Sequence, residues 1–436
     1  MERRRGPTST STRSRFGLFV VVCALLGACL AAGLALPGAT DAWAADGEPT
    51  SSRAGDAVSP EQAAPAAADE SVLDRTAAVS EATSLSYEEW KSLYPTQYGS
   101  FATHYYNEGA SEDFSHFAMK VKEEAYYSPD YPKTGYCMSC KGTSFDAMYA
   151  EEGDAMFQTK EDDAHYEQRI GTYYDCATCH ADPNAIEATP NLQVFQAVAA
   201  EEFADVDAKT LVCGQCHYYG GEFTTIMREG YGLDECEPYL YGHDAAGMYL
   251  AAIKDMAAED EATGALLATP SYSDLEMFVD STHASMGLTC VDCHMPQTVD
   301  ENGNAFTSHN ASSSPLENPD AIATCLTCHS AQGVEDAEGM RDYYATAEKV
   351  VHDKMDAAAA KVDELREALT EATAAGSTGN AIDEARELYG QAYFYTGYVS
   401  SYRHGEGYRV AHNAEQMGEL ADQILQFAND GLDKLA

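Results

Sequence analysis

Four copies of Cys-x-x-Cys-His punctuate this chain, at Cys176/Cys179/His180, Cys213/Cys216/His217, Cys290/Cys293/His294 and Cys325/Cys328/His329; a copy ahead of them, Cys137/Cys140/Lys141, ends in lysine. Two thiols and an adjoining imidazole at this spacing are the attachment signature of c-type haem: the thiols form thioethers to the vinyl groups and the imidazole binds iron from one face. In the first copy an amine takes the imidazole's place. It can bind iron only when deprotonated, which the cation itself favours by lowering the amine's pKa. A haem built only for electron transfer gains from two strong axial ligands, so the odd ligand marks the Lys141 haem as the one whose sixth position is open to a reactant. A chain of this composition should hold on the order of 0.01 such motifs by chance. Structural zinc is the rival for paired cysteines, but zinc sites place His at wider spacing after the second Cys. For the Lys141 copy alone, the rival is a Cys pair that carries no haem.

Five covalently bound haems c have ten axial positions, and the motifs fill five of them. With the Lys141 haem open on one side, four distal imidazoles are needed, and nine of the thirteen His lie outside the motifs. Of the thirteen Cys, ten sit in motifs, Cys23 and Cys29 lie near the N-terminus, and Cys236 is left over, so a disulfide framework is unnecessary.

The elements that must position these groups are short. First cysteines fall 39, 37, 77 and 35 residues apart, which leaves little peptide per haem. The expected fold is therefore mainly α: a multihaem c-type cytochrome whose macrocycles form much of the core, wrapped by short helices and loops, with long C-terminal helices. The doubled third gap leaves room for an extra element able to cover an open iron. Beyond Gly339 the pattern changes. Val351, Met355, Ala358, Val362, Leu365 and Leu369, spaced by four and three, form a heptad seam on a helix ending near Gly376. A second helix is expected from about Ala381 to Ser401, and Asn413 with Gln416 caps a third that carries Met417, Leu420, Ile424 and Leu432. These helices pack on one another or on a second protomer; the seam points to a homodimer. The expected division is residues 1–44 as signal peptide or N-terminal anchor, 45–84 as flexible linker, 85–340 as the pentahaem region and 341–436 as a helical dimerisation region.

Arg3, Arg4, Arg5, Arg13 and Arg15 precede an apolar run from Phe16 to Leu36, and Ala42-Trp43-Ala44 offers a small-x-small cleavage site, the pattern of an export signal. The run is also long enough to span a bilayer as an uncleaved anchor, and Leu26-Gly27-Ala28-Cys29 faintly resembles a lipoprotein cleavage site. The product should be extracytoplasmic, periplasmic or on the outer face of the cytoplasmic membrane. The whole chain carries a net charge of −45; without its first 44 residues it holds 21 Lys and Arg against 69 Asp and Glu, a balance of −48. Such a surface excludes nucleic acid as a partner and steers in a cationic one, or serves solubility in a salty exterior.

The Lys-bearing first motif, the four others, the string His283 to Cys290 and on through Cys293-His294-Met295-Pro296, and the opening Tyr94-Pro95-Thr96-Gln97-Tyr98 together resemble the pentahaem ammonia-forming cytochrome c nitrite reductases, over roughly residues 85–436. The resemblance implies distal ligands residue by residue: His116 for the third haem, His309 for the second, His283 for the fifth and His412 for the fourth, with His404 the rival to His412. His104, His165, His243 and His352 are left as surface or packing histidines. It also implies a membrane quinol-oxidising cytochrome as electron donor, and reduction of a small-molecule acceptor, nitrite to ammonium in the family. The substrate pocket departs from the family. Where the family has Cys-x-x-Cys-His-x-Glu-Tyr-Tyr, this chain reads His217-Tyr218-Tyr219-Gly220-Gly221-Glu222; the family's Lys-x-Gln-His falls on Thr269, Pro270, Ser271 and Tyr272; its Arg falls near Tyr126, with no Arg between Arg75 and Arg169. The catalytic set becomes Lys141 with Tyr126, Tyr219 and Tyr272, and most calcium ligands are lost, although an insertion in the alignment restores Glu222 to that role. A tyrosine pocket in so acidic a protein suits a neutral or N-oxide-like acceptor better than an anion; the bland alternative is that these Tyr pack on haem edges. Two functions follow: a terminal respiratory reductase, or an electron-transfer cytochrome with a decayed pocket.

Overall fold

The computed structural model describes residues 85–101, 139, 143–158, 176–184, 187–221, 232–269, 272–311, 314–400 and 408–436. The chain divides after Ala67 into two units, and every described residue belongs to the second. The leader or anchor and the whole of the linker expected from the sequence lie outside the described residues, as do His104, His116, Tyr126, Cys137, Cys140, Lys141, His165, Glu222 and His404.

Short helices dominate the motif-bearing part, and local chemistry starts them. Helix α1 (Tyr87–Leu93) opens on a capping box in which the Ser86 hydroxyl accepts from the Glu89 N–H and the Glu89 carboxylate accepts from the Ser86 N–H at 2.7 Å. It leads through Tyr94 into α2 (Pro95–Phe101). Next come α3 (Thr143–Glu152), α4 (Gln193–Val198) and α5 (Ala208–Gly214), the last capped by Asp207. Helix α6 (Ala245–Asp255) fills the long third gap, its first turn tied to Asp244. Helices α7 (Asp274–Val279), α8 (Thr282–Ser285), α9 (Cys290–His294) and α10 (Pro319–His329) follow. Two antiparallel hairpins interrupt them, β1 (Ala258–Glu259) with β2 (Leu266–Leu267) and β3 (Gln297–Val299) with β4 (Ala305–Thr307). Among the described residues this part holds small apolar clusters, such as Phe145, Met148, Met156 and Phe157 with Val194 and Leu233, and its architecture is mainly α, as expected from the motif spacing.

The large core belongs to the C-terminal helices α11 (Ala337–Ala374), α12 (Asn380–Ser400) and α13 (Val410–Leu435). Asp336 caps α11, and Gly376 at φ +72° stops it. All six residues of the heptad seam are buried, in one cluster with Ile382, Tyr389 and Phe394 of α12 and Met417, Leu420, Ile424 and Ala428 of α13. The seam is thus filled from within the chain, the intramolecular packing that the periodicity left open. Gly431 of α13 lets this happen: a Cβ there would meet the Leu365 side chain at 2.6 Å. The same cluster takes in Tyr219, Ala245, Met248 and Tyr249, so the core runs continuously across residue 340. Among the described residues no helix is long and apolar enough to cross a membrane.

Candidate functional site

The cysteine-histidine motifs fold so that their ligands converge. In α9, and at the end of α10, the two Cys and the His stand at i, i+3 and i+4, one helical face. At Cys176 a 3₁₀ turn closes the motif, with the His180 N–H donating to the Cys176 carbonyl at 3.0 Å.

Each of three motif histidines faces a second histidine from a distant part of the chain. Ring centroids are 6.2 Å apart for His180 and His309, 6.2 Å for His283 and His329, and 6.4 Å for His294 and His412. A metal held between two imidazole nitrogens at about 2 Å each, with about 1.2 Å more to each ring centre, sets centroids about 6.4 Å apart. These are the pairings that the family resemblance implied for the second, fifth and fourth haems. The partner of His217, expected to be His116, lies outside the described residues.

The other ring nitrogens are tethered, which decides which nitrogen can bind metal. Nδ1 of His180 lies 3.1 Å from the Glu187 carbonyl, that of His309 2.9 Å from the Thr307 carbonyl, and that of His283 2.8 Å from the Ala411 carbonyl. Carbonyls accept only, so each Nδ1 carries the proton and each Nε2 keeps its lone pair. Nδ1 of His329 lies 3.0 Å from the Gln332 side-chain oxygen. His309 is further fixed by its N–H donating to Ser100 Oγ of α2 at 2.8 Å. Burial also keeps rings neutral, the form a metal needs: it lowers the pKa of His180, His309 and His329, and takes that of His294 to about 4 with help from His412 and His217.

Helix α7 carries two acids that sequence reasoning missed. Asp274, buried, has Oδ2 at 3.2 Å from His217 Nδ1 and Oδ1 at 3.4 Å from His412 Nδ1, and pairs with Arg409. Glu276 is fully buried; its Oε1 accepts from the Tyr219 N–H at 2.8 Å, the Gly220 N–H at 3.3 Å and the Tyr239 hydroxyl at 2.8 Å. Burial pushes its pKa up to about 7 against the pull of those donors. In a chain with 71 acidic residues neither one is distinguishable by type.

The tyrosines proposed for a substrate pocket divide. Tyr219 is fully buried in the main core, its ring edge-on to Phe394 at 5.5 Å, a packing position among protein side chains. Tyr272 is half-buried at φ +61°, among the described residues the sole non-glycine with positive φ. Strain of this kind in a bulky residue clusters at functional positions. His243 and His352 behave as side chains of packing and surface: His243 sits between Glu202 and Asp280, and exposed His352 pairs with Asp356. No cluster of three or more His, Cys, Asp or Glu suited to a metal ion occurs among the described residues.

Residues 94–436 match the family model described as cytochrome c552. Among curated proteins, a cytochrome c-552 from Haemophilus ducreyi is 29% identical over 222 residues, which is 46% of this chain and 40% of that protein; the chain thus spans less than half the length of that relative. Among solved structures, cytochrome c nitrite reductase from Desulfovibrio desulfuricans, a catalytic subunit described with two calcium sites, superposes with a TM-score of 0.59 at 18% identity, covering 80% of this chain and 85% of that one.

Proposed function

The chain belongs to the cytochrome c552 family, that of the ammonia-forming cytochrome c nitrite reductases, and from that membership we propose that it is an extracytoplasmic reductase of five haems that delivers electrons to a small acceptor beside Lys141. Three pairs of facing histidines at metal-spanning distance carry this reading. Haem, when bound, would supply iron for passing electrons and for reducing the acceptor. The thiols of Cys137 and Cys140, Cys176 and Cys179, Cys213 and Cys216, Cys290 and Cys293, and Cys325 and Cys328 would hold the five macrocycles. Lys141, His180, His217, His294 and His329 would supply the proximal ligands, and His116, His283, His309 and His412 the distal ones.

The protein's own groups shape what reacts. Backbone carbonyls tether His180, His309 and His283, a side-chain amide His329 and a carboxylate His217 and His412, so these imidazoles rearrange little during electron transfer. The pocket read from the sequence lacks the family's Arg and His beside the iron, and its tyrosine hydroxyls donate hydrogen bonds without fixed positive charge. An anion gains little there, and a neutral N-oxide gains more. The left-handed backbone of Tyr272 makes it the tyrosine to test first as a donor, whereas the burial of Tyr219 favours support of the core. Electrons would come from a membrane-bound quinol-oxidising cytochrome with a basic docking face, drawn by the acidic surface.

Purified holoprotein with a reduced viologen donor tests the reading by comparing kcat/KM for nitrite with that for a neutral N-oxide. The expected result is turnover with the neutral acceptor favoured. A higher kcat/KM for nitrite, with ammonium as product, returns the site to the family's anion chemistry; no turnover of any acceptor leaves an electron-transfer cytochrome.

A further inference from the structure

Nδ1 of His180, His309 and His283 meets a backbone carbonyl, and that of His329 a side-chain amide. The remaining tethers differ in kind: His217 and His412 both meet a carboxylate, and it is the same one. Asp274 offers Oδ2 to His217 at 3.2 Å and Oδ1 to His412 at 3.4 Å. His217 closes the third motif, and His412 faces His294, which closes the fourth. The two motifs touch at this place. Cys213 and Cys290, their first cysteines, line one small cavity together with His217, Asp274 and His412.

We propose that Asp274 is a positioning residue shared by two haems, a single carboxylate that orients one axial imidazole of each and sets their reduction potentials together. The inference rests on reading His217 and His412 as axial ligands. An imidazole whose Nδ1–H donates to a carboxylate gains basicity, binds ferric iron more strongly and so lowers the potential. Each oxygen serves one ring, so rotating the carboxylate disturbs both. Arg409 pairs with Oδ1 and offsets the cost of burying the charge. The Arg409 guanidinium and the two imidazole Nδ1 groups surround the carboxylate, so its negative charge lies against both rings at once.

Replacing Asp274 by Asn removes the charge and leaves only one good acceptor. The amide NH₂ must then face one Nδ1, which favours the tautomer whose Nε2 is protonated and unable to bind iron. Redox titration of the full holoprotein, with haems resolved by electron paramagnetic resonance, should show two haems shifted to higher potential in Asp274→Asn. A tenfold change in each reduction equilibrium is about 59 mV for one electron. Arg409→Gln should move the same two haems to lower potential, and it serves where Asp274→Asn fails to incorporate its haems. A shift confined to one haem, spread equally over all, or absent overturns the proposal. His412→Ala separates this from failure of the ligand reading: it should convert one haem from low-spin to high-spin, whereas an unchanged spectrum removes His412 as a ligand and the premise with it.

Discussion

His243 holds two carboxylates, with Nδ1 at 2.7 Å from Glu202 and Nε2 at 3.2 Å from Asp280. The Asp280 hydrogen bond, helped by Glu202 and opposed by partial burial, raises its pKa to about 9 from an ordinary 6.5. A histidine with a raised pKa adds stability that is fully present below about pH 6.5 and is lost as pH climbs through about 9. His243→Gln should therefore cost stability at pH 6 and almost none at pH 10, measured by chemical denaturation at each pH; an equal cost at both would show that charge is not the cause. Glu276 runs the opposite way. Its pKa is raised from 4.5 to about 7 by burial, so the folded state holds a proton that the unfolded chain has released, and stability falls as pH rises from about 4.5 to 7. Glu276→Gln should stabilise the protein at pH 8 relative to its effect at pH 4, and the reverse order contradicts the buried acid. At this scale the sequence was legible wherever chemistry demands fixed spacing. Thioether attachment requires two thiols and a ligand at invariant distances, so His180, His217, His294 and His329 stand out. Asp274 and Glu276 do not, because a carboxylate tethering an imidazole can come from anywhere in the chain. His217 and Asp274 are 57 residues apart.

The long helices were legible because periodicity reports a buried stripe directly. The seam on α11 is buried at every expected position, and α12 and α11 begin or end within a residue or two of the expected bounds. Asn413 with Gln416 was also readable: the Asn413 side chain accepts from the Gln416 N–H at 3.1 Å. It caps a helix inside a longer one, since Asn413 departs from helical geometry with φ −167° and ψ 78°. That break sets the orientation of His412 just ahead of it. The hairpins were not anticipated. β3 and β4 are three residues each, too short for alternation to register, and only their turn, where Asp300 accepts from the Asn302 and Asn304 N–H groups before Gly303, carries a signal. Leu365→Ala should cost about 2–5 kcal/mol, as for a large-to-small change in a tight core. Leu365 is fully buried against Gly431. Denaturation followed by far-ultraviolet circular dichroism measures this, and a cost below about 1 kcal/mol would mean that the seam is not a packed core.

The whole molecule is defined by its charge and by the irons it is built to carry. A balance of −48 beyond the first 44 residues should make reduction by a cationic donor fall steeply as salt rises from 10 to about 200 mM, since the screening length shrinks from about 30 Å toward 8 Å. Stopped-flow rates over that range check it, and a salt-independent rate removes electrostatic steering. The homodimer gains no support from the heptad seam, which is spent inside the chain, so any second protomer must use another surface. What composition could not convey was the continuity of the core across residue 340, because a change in sequence pattern marks a change of element and not a gap in packing. On the proposed reading, one iron, held by Lys141, would be open while the others would be closed by histidine on both faces. Carbon monoxide titration of the fully reduced holoprotein, followed in the Soret band, measures this most directly. One equivalent bound per chain is the expected result, and none, or more than one, contradicts it.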